Sequence, residues 1–245
     1  MKYNPKRHRL PALDLSGILL VDKPADWTSF DVVNCVRGRF NIPKVGHCGT
    51  LDPAATGLLV LVLGRFTAYA SKLSGDNKTY EAVLRLGIET DTQDMAGEIT
   101  AEKPWDNVTA EAAQAALMAK KGKSMQLPPM VSAVKKDGKR LYELARKGIE
   151  VERDPREIEI FSLDIDTVEM PRIGFTAECS KGTYMRTLCA DVGAELGCGG
   201  VLESLRRTQC GKFSIEHAIT IDRIKEMEQE DIANFVRDFL ANHLV

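Results

Sequence analysis

The chain has 245 residues, 44% of them hydrophobic and 28% charged, with a formal net charge of −2. These are ordinary values for a globular protein, and the length allows one large domain or two small ones. The longest apolar run falls well short of the roughly 20 residues a membrane-spanning helix needs. Met1–Leu15 is basic and polar without the apolar stretch of a secretory leader; no membrane association and a cytoplasmic location are expected. Six cysteines (35, 48, 179, 189, 198, 210) form no C-x-x-C pair, and the four histidines are scattered. No metal site is expected, and the thiols read as free core residues.

In chain order, residues 1–15 form a basic extension. Gly17–Val21 reads as a short buried strand ended by Asp22-Lys23-Pro24. Ser29 is expected to cap an amphipathic helix over Ser29–Phe40, because Phe30, Val33, Val36 and Phe40 recur at helical spacing. Asn41-Ile42-Pro43 breaks it. Gly46–Pro53 is rich in turn formers, and the six apolar residues Leu58–Leu63, bounded by Gly57 and Gly64, read as a strand buried on both faces. Arg65–Leu73 is expected to be helical. In Lys78–Leu86 the residues Tyr80, Ala82, Leu84 and Leu86 alternate onto one face of a strand.

Thr90–Gly97 is a polar loop whose acids lack EF-hand spacing. Thr109–Lys120 is an alanine-rich helix capped by Thr109. Gly122-Lys123-Ser124 resembles the end of a phosphate-binding loop, but the glycine that motif requires five residues earlier is Leu117. Lys139–Lys147 is expected as a short basic helix. Arg156–Asp166 is a strand with a bulge where the apolar phase shifts between Ile160 and Phe161. Ile173, Phe175, Ala177 and Cys179 mark another strand. Met185, Leu188, Cys189, Val192 and Leu196 follow helical spacing up to Gly197. The glycines at 197, 199 and 200 follow a helix rather than a strand, which disqualifies them as a dinucleotide site. Leu205–Phe213 reads as a strand. From Thr220 the chain is helical, with Ile232, Phe235, Val236, Phe239 and Leu240 on one face.

No repeat, low-complexity tract or linker interrupts this order. Irregularly interspersed strands and helices imply a single α+β domain, a mixed sheet with flanking helices. Charge is uneven: Lys120–Arg156 holds eleven Lys/Arg against five Asp/Glu, while Asp76–Met118 holds nine acids against three bases and Glu216–Val245 seven against three. A basic middle between acidic stretches makes either one positive face on a neutral molecule or an ordinary solvated helix and loop.

The most informative segment is Lys44–Leu63, KVGHCGTLDPAATGLLVLVL. It sets one carboxylate, Asp52, and one imidazole, His47, on a turn against the core, and side chains so placed tend to carry function. The run GHCGTLDPAATGLL resembles the catalytic motif of the tRNA pseudouridine synthase B family, which isomerises the T-loop uridine at position 55 of tRNA. Four further segments resemble that family in its order: GILLVDKP at Gly17–Pro24, KTY at Lys78–Tyr80, CSKGTYMRTL at Cys179–Leu188, and SLRR at Ser204–Arg207. They run from about Gly17 to about Phe213. The resemblance implies the pseudouridine synthase fold, with a catalytic domain over 16–215 and a short helical tail over 216–245. That tail is too short for the C-terminal RNA-binding domain many members carry.

Carried over residue by residue, the resemblance makes Asp52 the catalytic carboxylate and Arg186 its charge partner. His47 would help displace the target base, Tyr80 would stack on it, and Tyr184 and Leu205 would line the uridine site. Lys23 would buttress the pocket or meet a phosphate. The chemistry asks for such residues: the N1–C1′ bond breaks and C5–C1′ forms without redox change, so no cofactor or metal is required. A carboxylate attacks C1′ or abstracts the C2′ proton, and the sequence leaves that choice open. Burial alone would raise the pKa of Asp52, and a nearby guanidinium offsets this. The implied partner is the T-stem-loop of tRNA, bound by a monomer with no required protein partner, with Lys135-Lys136, Lys139-Arg140 and Arg146-Lys147 as the backbone-contacting surface. Two other readings stand beside this one. The first is an RNA-binding or tRNA-folding protein whose catalysis is dispensable. The second is an unrelated carboxylate hydrolase, for which the motif offers no second acid.

Overall fold

A computed structural model describes residues 10–132, 134–136, 138–141, 148–149 and 151–243. In chain order its strands are β1 (Gly17–Lys23), β2 (Val45–Cys48), β3 (Thr56–Leu63), β4 (Lys78–Leu86), β5 (Ile88–Thr90), β6 (Ile99–Glu102), β7 (Gly122–Gln126), β8 (Lys135–Lys136), β9 (Lys139–Arg140), β10 (Arg156–Glu169), β11 (Arg172–Cys179), β12 (Gly200–Cys210), β13 (Phe213–Ser214) and β14 (Ile219–Thr220). The helices are α1 (Ser29–Phe40), α2 (Ala70–Leu73), α3 (Ala110–Met118), α4 (Met185–Glu195), α5 (Ile221–Glu226) and α6 (Gln229–His243). Contacts divide the chain into two units, Met1–Lys78 with Arg206–Val245, and Thr79–Leu205.

The first unit is built on β3. Its apolar run is buried on both faces as expected, because it pairs antiparallel with β1 (Val21↔Leu59) and with β2 (Cys48↔Val60), and parallel with β12 (Arg207↔Gly57). Since side chains alternate along a strand, Leu59, Leu61 and Leu63 join Leu19, Val21, Val32, Val36 and Phe40 in one cluster. Leu58, Val60 and Val62 join Ile18, Leu20, Cys48, Phe213 and Phe239 in a second. Each such side chain taken out of water contributes about 1.5–3 kcal/mol before entropy is counted. β14 completes the sheet, parallel to β1 (Val21↔Ile219); antiparallel and parallel pairs together make it mixed.

The residues after Thr220 are helical as expected, in two helices broken at Met227, and they supply core. Ile224, Ile232 and Val236 are fully buried in the first cluster. A Cβ on Gly17 would lie 2.5 Å from Val236 Cγ1, so α6 seats directly on β1.

In the second unit β10 pairs antiparallel with β11 on one side (Leu163↔Ala177) and with β7 on the other (Ile158↔Ser124). The register of β10 shifts between Ile160 and Ser162, where the apolar phase placed a bulge, and again between Ile165 and Thr167. α4 packs closely on the start of β12: a Cβ on Gly193 would meet Gly200 N at 2.1 Å.

Several expectations are corrected. α1 is capped by Thr28, not Ser29: Thr28 Oγ1 accepts from Asp31 N, and Thr28 N donates to the Asp31 carboxylate. That is a capping box, and it satisfies two otherwise orphaned donors. Gly46–Cys48 belongs to β2, and the turn is confined to the residues after it. Arg65–Leu73 is helical as expected, as a 3-10 helix over Gly64–Tyr69 followed by the single turn α2. The last strand starts at Gly200 rather than Leu205 and folds back at Gly211 onto β13 (Cys210↔Phe213). Lys139-Arg140 pairs with Lys135-Lys136 as a hairpin instead of opening a helix. Residues 142–147, and the side chains of the basic pairs at 135–136 and 139–140, lie outside the described residues.

Candidate active site

The first unit holds Lys23, His47 and Asp52. Asp52 lies on the loop between β2 and β3, half-buried, between the buried Leu51 and the exposed Pro53. This loop is gripped from both sides of the carboxylate. On the N-terminal side, Ser29 Oγ accepts from Leu51 N (2.9 Å) and donates to Leu51 O (3.2 Å). On the C-terminal side, Pro53 O accepts from Asp26 N (2.9 Å) and from Lys23 Nζ (3.1 Å). Ala55 N closes a turn onto Asp52 O at 3.1 Å.

Lys23 is fully buried at the end of β1, and its three ammonium donors go to Pro24 O (2.9 Å), Trp27 O (2.7 Å) and Pro53 O (3.1 Å). Lysine has three donors, so the geometry is that of a buttress. Burial pushes the Lys23 ammonium down to about 8, and the negative charge of Asp52 opposes the shift.

Arg207, 1% exposed, lies under the same loop; of the SLRR segment the resemblance points to Leu205, two residues earlier, and not to Arg207. Its Nε donates to Leu58 O (2.7 Å) and its Nη2 to Gly49 O (3.2 Å). Gly57 has φ of +99°, and a Cβ there would lie 2.3 Å from Arg207 O, so strand pairing at this point demands glycine. His47, on β2, has its Nδ1 buried without a hydrogen-bond partner among the described residues. Burial first and the charge of Arg207 second push the His47 imidazolium below the usual range, leaving a neutral ring at pH 7.

The second unit holds Tyr80, Tyr184, Arg186 and Leu205. Tyr80 is buried on the β4 face it shares with Ala82, Leu84 and Leu86. Tyr184 sits just before α4, where Gln126 pins its backbone: Tyr184 N donates to Gln126 Oε1 (2.8 Å) and Gln126 Nε2 to Tyr184 O (3.0 Å). Arg186, 2% exposed on the first turn of α4, donates from Nη1 to Thr92 O (2.9 Å) and from Nη2 to Val131 O (2.7 Å). Its Nε stands 3.6 Å from Asp94 Oδ2.

The polar loop Thr90–Gly97 thus has a task that spacing alone did not reveal. Asp94 Oδ1 accepts from Thr92 Oγ1 (2.6 Å) and Ala96 N (3.1 Å), and Thr187 Oγ1 donates to Gln93 Oε1 (3.0 Å). Leu202 N donates to Gln93 O, and Met95 N to Leu202 O, which dock the loop on β12. The only signal for Asp94 was an unexplained concentration of acids. Gln126 carried none, because its partners are 58 residues away.

Set beside known proteins, residues 37–185 match the TruB family pseudouridylate synthase N-terminal domain, and residues 186–243 the tRNA pseudouridylate synthase B C-terminal domain. The chain belongs to the TruB pseudouridylate synthase family. It is 48% identical over 217 residues to tRNA pseudouridine synthase B of Syntrophotalea carbinolica, covering 89% of this chain and 71% of that one. It is 50% identical over 208 residues to the protein of the same name from Geotalea uraniireducens, covering 85% and 67%. A solved Cbf5-Nop10-Gar1 complex contains a chain that superposes with a TM-score of 0.66 at 25% identity over 93% of this chain; this chain spans 56% of that one. The family's C-terminal match takes in α5 and α6, beyond the point near Phe213 where the motifs stop. The six cysteines are buried and in no disulfide; burial pushes the Cys48 thiol up to about 11.

Proposed function

We propose that the chain is a tRNA pseudouridine synthase that isomerises the T-loop uridine, with Asp52 as the catalytic carboxylate. The observation that carries this reading is the grip on residues 51 and 53, which fixes a single carboxylate on a loop of the family's own signature sequence. Family membership and the name shared by the relatives support the reaction and the tRNA substrate.

The target base lies inside a folded RNA loop and must be flipped out, which costs a few kcal/mol. Stacking on an aromatic face returns roughly 1–3 kcal/mol, and Tyr80 is the residue assigned to it. A neutral His47 enters the loop in place of the base without adding a charge to be desolvated. Tyr184 and Leu205 line the uridine, and Lys23 holds the backbone that carries Asp52. The ionised Asp52 then acts at C1′ or at the C2′ proton; N1–C1′ breaks, the base turns, and C5–C1′ forms. The enzyme acts without a protein partner, in keeping with relatives named as an enzyme in their own right.

The deciding experiment maps pseudouridine in an unmodified tRNA transcript after incubation with wild type, Asp52→Asn and Arg186→Lys. Product at the T-loop uridine with wild type, none with Asp52→Asn and retained tRNA binding by both variants is the expected result. Arg186→Lys should slow single turnover by a hundredfold or so, since an ammonium cannot reproduce the planar, multidentate guanidinium. Full product from Asp52→Asn would remove Asp52 as the catalytic carboxylate, and no product from wild type with tRNA still bound would return the protein to a binding or folding role.

A further inference from the structure

Ser29 carries a buried hydroxyl that its helix does not use. Thr28 already caps α1, so Ser29 is free of the task its residue type and position suggest. Its side chain is 2% exposed and reaches across 22 positions of sequence to make two bonds with one residue: it accepts from Leu51 N at 2.9 Å and donates to Leu51 O at 3.2 Å. One hydroxyl has a single proton and two lone pairs, so both bonds form at once. Leu51 is the residue before Asp52 and is itself 3% exposed. With its own N–H and C=O both held, Leu51 has little freedom in φ or ψ, and rotation there would swing the Cα of Asp52. The other side of Asp52 is fixed separately through Pro53 O, by Lys23 and Asp26.

We infer that Ser29 is a positioning residue of the reaction, holding the Asp52 carboxylate on its trajectory through the Leu51 backbone, and that the helix start was divided between Thr28 for the cap and Ser29 for the loop. The inference rests on the assignment of Asp52 as the catalytic carboxylate. Displacement of a reacting group by about 1 Å costs up to a hundredfold in rate, whereas Ser29, 2% exposed, offers tRNA no contact surface.

The test is Ser29→Ala in the full chain. Alanine fits the space and favours a helix, so the fold survives. Single-turnover rate and tRNA Kd are measured beside Asp52→Asn and beside Val36→Ala, a core change on the same helix. Temperature is chosen so that all variants are fully folded. The expected result is a ten- to hundredfold fall in rate for Ser29→Ala, with Kd within twofold and faster exchange of the Leu51 amide proton. Val36→Ala should keep the wild-type rate. A Ser29→Ala rate within twofold of wild type, or a fall matched by Val36→Ala, overturns the inference. If Asp52→Asn remains active, the reading of the site fails instead, and the two failures are thereby told apart.

Discussion

At the scale of single residues, a buried charge braces the loop that carries Asp52. Lys23 is the clearest case: its ammonium is out of water and donates to three carbonyls, one of them beside Asp52. The DKP segment marked Lys23 as important without distinguishing a buttress from a phosphate contact, because a lysine in sequence carries no sign of its burial. Replacement by methionine keeps most of the stem but strands three carbonyls. A loss of about 3 kcal/mol or more in urea unfolding is expected. The folded-state pKa of about 8 lies below the unfolded value of 10.5. Between these values the unfolded chain binds the extra proton, so this group's contribution to stability rises from pH 8 to 10.5 and is least favourable below 8. The stability difference between wild type and Lys23→Met should therefore widen between pH 8 and pH 10; a constant difference would contradict the assigned shift.

At the scale of elements, the patterns that survived were those decided by near neighbours. Helix spacing located α1 and α4, Thr109 caps α3 through Ala112 N as expected, and the run Leu58–Leu63 is a strand buried on both faces. The misplaced cap of α1 was legible all the same: Thr28 stands three residues before Asp31, the T-x-x-D form of a capping box, and Ser29 is merely the next hydroxyl. Thr28→Ala should cost about 1 kcal/mol of stability and leave the turnover rate unchanged, as read by urea unfolding and single-turnover assay. A collapse of the rate would mean that the cap, and not Ser29, governs the Asp52 loop. β2 escaped notice because Gly46-His47-Cys48 has turn-forming residues on both sides, and only its pairing with β3 makes it a strand.

At the scale of the molecule, the first unit draws on both ends of the chain. Ile232 and Val236 complete a core begun by Leu19 and Val21, so removing α6 would uncover β1 as well as shorten the chain. The net charge of −2 hides an uneven distribution, and RNA binding should expose it. tRNA affinity is expected to fall steeply with salt, with a log–log slope of about −0.7 to −0.9 for each phosphate contacted. Titrations from 50 to 200 mM salt check this, and a flat response would remove the basic stretch 120–156 from the interface.

The sequence by itself determined the family, the α+β class and the identity of the candidate catalytic carboxylate. Hydrophobic period, caps and a contiguous signature are local properties, carried within a few residues of one another. Tertiary structure alone decided what holds that carboxylate. Ser29 to Leu51, Lys23 to Pro53 and Arg207 to Gly49 are joined across 22 to 158 positions. No pattern of residue types specifies which distant carbonyl a buried donor will find; the packing of β1, β3, β12 and α1 specifies it, because a donor shut away from water must take the partner the folded backbone presents.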